Sequence, residues 1–272
     1  ILSFGRRVQT EESARISVVM PLYNKEAEVE RALRSVVEQS LAPGEIIVVD
    51  DGSTDGSRVI VERIIAEHPE AGIRLITQSN SGVSAARNRG IAEAKGDYIA
   101  LLDADDMWLT GYIAEVCRLM EYYPEADAYS TAFDIVSGSE RVAASIPTTE
   151  GYINIAEEAL QRRYPIIPST ATLRRESVLR AGGFPEGMRI GEDQWLWVRM
   201  MQQGATFCFS PMSLVRYSRT ASNRSASIYR AEQSTHTLEE LYTPNGDAVV
   251  NEYIARIAIG KAITQSVRGG TD

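Results

Sequence analysis

The sequence predicts an α/β fold with a mostly parallel central sheet flanked by helices, followed by a helical C-terminal extension. Three observations lead there. Short β-branched runs alternate with single helical repeats over the first hundred or so residues. Acidic residues gather where those runs end. No apolar stretch approaches the ~20 residues that a membrane-spanning helix needs.

Composition narrows the function classes. The chain has 272 residues, 44% hydrophobic and 24% charged, enough for one large domain or two small ones. Lys and Arg total 28 against 37 for Asp and Glu, a formal charge of −9. Nucleic acid is therefore not an expected partner, since its phosphates reward clustered cations. Cys117 and Cys208 make neither a disulfide framework nor a zinc cluster, and they suit a reducing compartment. No signal peptide is visible, and a first residue of Ile1 rather than Met suggests a trimmed chain.

The elements follow in order. Ile16 to Pro21 is a β-branched run closed by a proline, and Glu26 to Gln39 puts Val29, Ala32, Leu33, Val36 and Val37 at helical spacing. Pro43-Gly44 breaks that helix before a buried strand, Glu45 to Asp50. Thr54 to Ser57 opens a second helix, Ile73 to Thr77 is a third strand, Val83 to Ala94 a helix, and Asp97 to Leu102 a fourth strand. Single helices between strands imply βαβ units with both sheet faces covered. Ligands bind such sheets at the carboxyl ends of the strands.

The rhythm then loosens. Leu109 to Tyr122 reads as a helix, Ala126 to Val136 as a strand, and Ser137 to Gly151 as a polar excursion. A helix from Ile155 to Arg163 precedes Pro165 to Pro168 and a short strand at Thr170 to Leu173. Glu192 to Gln203 is amphipathic, and Ala205 to Tyr217 should hold two strands. Ser225 to Val267 reads as two helices separated by Pro244-Asn-Gly246.

Several motifs are missing. No G-x-G-x-x-G follows a strand, Gly260-Lys261 lacks a phosphate loop, and only His68 and His236 are present, too few for an HExxH metal site. What remains are acids at strand ends. Asp50-Asp51 precedes Gly52-Ser53-Thr54, readable as a turn with a helix cap or as a carboxylate offered to a ligand N–H. Asp103, Asp105 and Asp106 crowd together after a buried strand. If extended geometry persists, Asp103 and Asp105 point the same way and suit a hard divalent cation that shares its other ligands with a diphosphate. Glu192-Asp193 opens a helix, either complementing its dipole or supplying a general base. Trp195 and Trp197 face different ways on that helix, and both are expected in the core.

Four segments occur in a telling order: Val18 to Asn24, Ile46 to Asp55, Ser81 to Asn88 and Gly96 to Asp106. Together they resemble the large family 2 of inverting, nucleotide-sugar-dependent glycosyltransferases with the GT-A fold. Gly182-Gly-Phe184 and Gly191-Glu-Asp193 with Trp197 are similar to the acceptor half of that family. The resemblance implies a GT-A domain over residues 16–220, with a donor half (16–106) and an acceptor half (107–220). Residues 1–15 would be an N-terminal extension and 221–272 a helical C-terminal one.

Residue by residue, the resemblance implies a donor site formed by Pro21, Tyr23, Asn24, Glu26, Gly82, Arg87 and Ala104 beside the acids. Tyr23 would pack on the base, Asp51 would read uracil, and Asp103 would approach the ribose. Asp105, with Asp103, would ligate Mn²⁺ or Mg²⁺, and Asp193 would be the acceptor base. Many relatives carry a histidine soon after the late tyrosine, but Tyr217-Ser-Arg-Thr220 has none, which implies either a lower metal affinity or a metal resting on Asp105 alone.

The implied activity moves a sugar from a nucleotide donor, UDP-linked by expectation, to a saccharide or glycolipid acceptor, as in bacterial cell-surface polysaccharide synthesis. The implied setting is cytoplasmic, with peripheral association at the inner membrane face and assembly through the C-terminal helices as further expectations. Two alternatives stay open: a nucleotide-sugar-binding subunit without turnover, and a serine hydrolase using Ser84 and His236, whose elbow pattern is incomplete at Ala86.

Overall fold

A computed structural model describes residues 8–188, 190–221 and 235–269, with side chains through residue 260. The first half is a run of βαβ units: β1 (Ile16–Leu22), α2 (Val29–Val37), β2 (Glu45–Asp50), α3 (Ser57–Glu67), β3 (Ile73–Thr77), α4 (Val83–Glu93) and β4 (Tyr98–Leu101). They follow the short helix α1 (Glu11–Ala14), which Thr10 caps. All seven residues of β1 are buried, as expected for a strand covered by helices on both faces.

The second half begins with β5 (Met107–Trp108), α5 (Tyr112–Tyr122), β6 (Ala128–Ser137), β7 (Glu140–Ala143) and β8 (Gly151–Ile153). It continues with α6 (Ile155–Leu160), β9 (Ala171–Arg174), α7 (Arg175–Ala181), α8 (Glu192–Gln202), β10 (Phe207–Ser218) and α9 (Ala248–Gly269). The described strands form one sheet in the order β3-β2-β1-β4-β9-β6-β10-β5, with β7 on β6 and β8 on β10. β1 is parallel to both β2 and β4, β9 joins β4 to β6 in antiparallel sense, and β10 runs parallel to β6. The order steps outward from β1 to β3 and then returns to place β4 on the other side of β1. That reversal opens a crevice at the carboxyl ends of β1 and β4.

One face of the sheet is filled by α2, α3 and α5 around Leu33, Val36, Ile64 and Val116, the other by α4, α7 and α8 around Ala86, Val178, Leu196 and Trp197. Burying each such branched side chain is worth about 1.5–3 kcal/mol. α4 lies directly on β1, because Gly90 has no Cβ and one built there would stand 2.4 Å from Val19 Cγ1. A third cluster joins Ala156 of α6, Val198 of α8 and Val250, Tyr253 and Ile254 of α9 with Leu238 and Leu241 of a 3-10 turn. No described helix is long and apolar enough to cross a membrane.

Several expected elements change. α2 starts at Val29 rather than Glu26, because the preceding residues are pinned to the β2–α3 loop. The excursion from Ser137 to Gly151 contains β7, an exposed hairpin partner of β6, and ends at the start of β8. The two strands expected over Ala205 to Tyr217 are one, β10, with register shifts between Ser210 and Val215 that absorb Pro211. α7 was not anticipated. Residues 222–234, in the first of the two expected C-terminal helices, lie outside the described residues, while the second is α9.

Candidate active site

The crevice holds a cleft of about 320 Å³. Four strand ends supply it: Pro21 to Tyr23 at the end of β1, Asp51 after β2, Asn80 to Gly82 after β3, and Asp103 to Asp105 after β4. Arg87 on α4 and Glu192 and Asp193 at the start of α8 complete it from the helical side.

Asp51 is 3% exposed and already well occupied. Its Oδ1 accepts from Gln78 Nε2 at 2.9 Å and Ser81 N–H at 2.8 Å, and its Oδ2 from Gly82 N–H at 2.8 Å. The carboxylate therefore shapes the loop that leads into α4. Gly82 adopts φ +92°, a conformation that side chains rarely tolerate, and so turns that loop toward Asp51.

Asn24 and Glu26 are not among the residues that line the cleft. Asn24 sits at φ +49°, where its Oδ1 accepts Thr54 N–H at 2.8 Å. Glu26 Oε2 accepts Gly56 N–H at 3.0 Å. Both tie the β1–α2 loop to the β2–α3 loop, while Tyr23 and Lys25 between and beside them do line the cleft.

The acidic cluster after β4 divides rather than converging. The strand stops at Leu101, and Asp106 N–H bonds to the Asp103 carbonyl, so the chain turns and alternation is lost. Asp103 pairs with Arg87 Nη2 at 2.8 Å, and Asp105 pairs with Lys25 Nζ at 2.8 Å. Asp106 is buried, accepting from Ser169 Oγ at 2.5 Å and Ser218 N–H at 2.8 Å, and it bolts β4 to β10. Its structural role was not legible beside two neighbours of the same type. Burial, and then the charge of Asp103, push the Asp105 carboxyl above its ordinary range.

Arg87 is 2% exposed, and its second amino group meets Glu192 Oε1 at 2.9 Å. Phe184 lies under the guanidinium, 5.0 Å from ring centroid to Cζ. Asp193 follows Glu192 with its Oδ1 turned to Gln194 N–H at 2.8 Å. Desolvation, and then the Glu192 charge, push the Asp193 carboxyl up to about 6.

Asp193 also lines a second cavity of about 230 Å³, walled by Phe133, Tyr164, Trp197, Tyr217 and Tyr253. Trp197 does belong to the core expected for it, edge-on to Phe184 at 6.4 Å, yet its buried Nε1 has no partner among the described residues. Tyr253 comes from α9 in the C-terminal extension. Its phenol is pushed up by burial and by the nearby Asp193 charge.

For a metal, the described residues offer no group of three or more His, Cys, Asp or Glu side chains. Asp105 supplies one hard carboxylate in the cleft, so the residues fit an ion carried in by a phosphate ligand and not a preformed cage. The serine-hydrolase alternative fails. Ser84 Oγ is buried without a hydrogen-bond partner among the described residues, and His236 pairs with Glu240 at 3.2 Å.

Residues 17–182 match the family described as glycosyl transferase family 2. An uncharacterized glycosyltransferase from Nostoc sp. is 36% identical over 129 residues, covering 47% of this chain and 39% of that protein. Another, from Rickettsia conorii, is 30% identical over 200 residues, 72% of this chain and 32% of that protein. The chain thus spans about a third of the length of these curated relatives.

Among solved structures, Staphylococcus aureus TarS 1-349 in complex with UDP-GlcNAc aligns at a TM-score of 0.68 and 19% identity, over 84% of this chain and 63% of that one. The mannosyltransferase PcManGT from Pyrobaculum calidifontis, in complex with GDP-Man and Mn²⁺, aligns at 0.66 and 19%, over 98% and 80%. Both share the fold.

Proposed function

This chain belongs to glycosyl transferase family 2, and from that premise we propose that it transfers a sugar from a nucleoside-diphosphate donor to a saccharide or glycolipid acceptor. The observation that carries the proposal is the position of Asp193, which lines the cleft at the strand ends and the aromatic cavity beyond it. A general base for glycosyl transfer needs that place, with the donor on one side and the acceptor hydroxyl on the other.

In this reading the donor half is 16–106 and the acceptor half 107–220, with α9 adding Tyr253 to the acceptor side. Tyr23 packs on the donor base, Asp51 faces the nucleoside while holding the Gln78–Gly82 loop, and Asp103 approaches the ribose from its anchor on Arg87. UDP is the proposed nucleotide, supported by a relative in fold that binds UDP-GlcNAc, although another binds GDP-Man. Asp105 would hold the divalent ion, Mn²⁺ or Mg²⁺, which when bound supplies positive charge to the departing diphosphate.

The protein's own part is proton transfer and positioning. Asp193 accepts the proton of the acceptor hydroxyl as that oxygen attacks the anomeric carbon from the face opposite the diphosphate. The bond from the anomeric carbon to the phosphate oxygen breaks with its electron pair on the leaving nucleotide. One displacement inverts the centre and needs no protein nucleophile. The aromatic walls of the second cavity offer faces on which a sugar ring can stack. Buried free Cys117 and Cys208 suit the cytoplasm as the place of action.

The test is nucleotide release measured over UDP- and GDP-linked sugars with an acceptor panel, in Mn²⁺ and in chelator. Donor-specific release that needs both metal and acceptor is expected. Tight nucleotide binding without release against any acceptor would overturn the transferase reading in favour of a binding subunit.

A further inference from the structure

Lys25 is a buried charge that the proposed chemistry has not used. It is 9% exposed, lines the donor cleft, and places its ammonium 2.8 Å from Asp105 Oδ2. Its backbone is anchored on both sides. The Lys25 N–H donates to buried Ser57 Oγ at 2.8 Å, and its carbonyl accepts from Val29 N–H at 2.8 Å where α2 begins. From the first turn of α2, Arg31 donates to the Asp105 carbonyl oxygen at 2.8 Å. Two cations from one short segment thus hold the aspartate proposed as the protein's metal ligand.

We infer that Lys25 is a donor-site residue that competes with the divalent cation for Asp105 and passes to the donor diphosphate when nucleotide and metal arrive together. The inference rests on the reading of Asp105 as metal ligand. Charge decides the order of events. Without a ligand, the Asp105 carboxylate is balanced by the Lys25 ammonium. A divalent cation arriving alone must displace that ammonium and then stand beside it, with two positive centres on one carboxylate in a cleft of low dielectric. A nucleoside diphosphate brings the missing negative charge and gives the displaced ammonium phosphate oxygens to bind. Metal affinity is therefore set by the nucleotide, and Lys25 enforces the coupling.

The experiment measures binding rather than turnover. Mn²⁺ affinity is read from the spin-resonance signal of free Mn²⁺, with and without UDP, for wild type, Lys25→Met, Lys25→Arg and Asp105→Asn. UDP affinity at saturating Mn²⁺ is measured alongside, and melting temperature confirms folding. Wild type should bind Mn²⁺ about tenfold or more tightly with UDP than without it. Lys25→Met should bind Mn²⁺ alone about tenfold more tightly than wild type and bind UDP more weakly, while Lys25→Arg stays near wild type.

Wild-type affinity of Lys25→Met for Mn²⁺ alone would overturn the inference, and so would unchanged affinity for UDP. Should Lys25→Met not fold, Lys25→Gln makes the same comparison. If Asp105→Asn keeps wild-type Mn²⁺ binding in the presence of UDP, the metal-ligand reading itself is wrong. Loss of metal by Asp105→Asn beside a silent Lys25→Met rejects the Lys25 role alone.

Discussion

Arg87 and Glu192 lie 105 positions apart in sequence and meet at 2.9 Å, with the guanidinium almost wholly buried. The same guanidinium holds Asp103, so one side chain on α4 ties the loop after β4 to the start of α8. Asp103 and the residue preceding the proposed base are thus fixed relative to each other. Removing one partner of such a buried network is costly, about 3–5 kcal/mol, because the remaining charges are left unpaired.

Asp193→Asn should retain UDP affinity and slow transfer by roughly 10²–10⁴-fold, since the amide cannot accept the hydroxyl proton. Stability should move the other way. The folded carboxyl sits at about 6, above its ordinary value, so folding favours the protonated form. Stability is therefore lost as pH rises from the ordinary carboxylate range through about 6, and the neutral Asn should melt no lower than wild type at pH 7. Transfer rate, calorimetry with UDP and melting temperature on one preparation test all three. Near-normal transfer would falsify the base assignment.

The pH profile offers a second check. A base must be unprotonated, so the wild-type saturated rate should fall as pH drops through about 6 and level off above it. Glu192 raises the Asp193 carboxyl by like charge, second only to desolvation. Glu192→Gln removes that charge, and its acid limb should shift to lower pH. An acid limb that stays in place would separate Glu192 from the titration of Asp193.

Asp51→Asn replaces one carboxylate oxygen with an N–H₂ group that must face Gly82 N–H, or else Gln78 Nε2 and Ser81 N–H. A buried donor facing a donor costs roughly 1–3 kcal/mol. Denaturant unfolding should show that loss, and UDP affinity should fall with it, because the loop it orders lines the cleft. Wild-type stability in this variant would contradict the hydrogen-bond pattern.

Tyr253→Leu should raise the acceptor KM while leaving UDP affinity near wild type. Tyr253 lines the cavity beyond Asp193 and is not among the residues lining the strand-end cleft. The anchoring neighbours Val250 and Ile254 are untouched, so α9 should stay on α6 and α8. An unchanged acceptor KM, once an acceptor is in hand, would remove α9 from the site.

The alternation of β-branched runs and helical repeats was legible through β4 because both signals are local. β2 and β3 have the bounds that their apolar pattern suggested, and the chain ends of those strands mark the cleft. β7 leaves no signal in the sequence because its four residues are all exposed and carry no apolar period. Pro211 interrupts the apolar pattern in sequence, whereas in the sheet a bulge accommodates it and β10 runs on as one strand.

The sequence by itself determined the strand-end acids, the glycine-led loop into α4 and the family, since each depends on residue type and short spacing. Only the tertiary structure decided which partner each acid meets. Asp103, Asp105 and Asp106 are chemically alike and nearly adjacent, yet they pair with Arg87, Lys25 and the Ser169–Ser218 clamp respectively. Those partners lie between 16 and 112 positions away and come from separate elements. Charge pairing and burial act through space, over a few ångströms, and the chain's own spacing does not encode which distant side chain will arrive there.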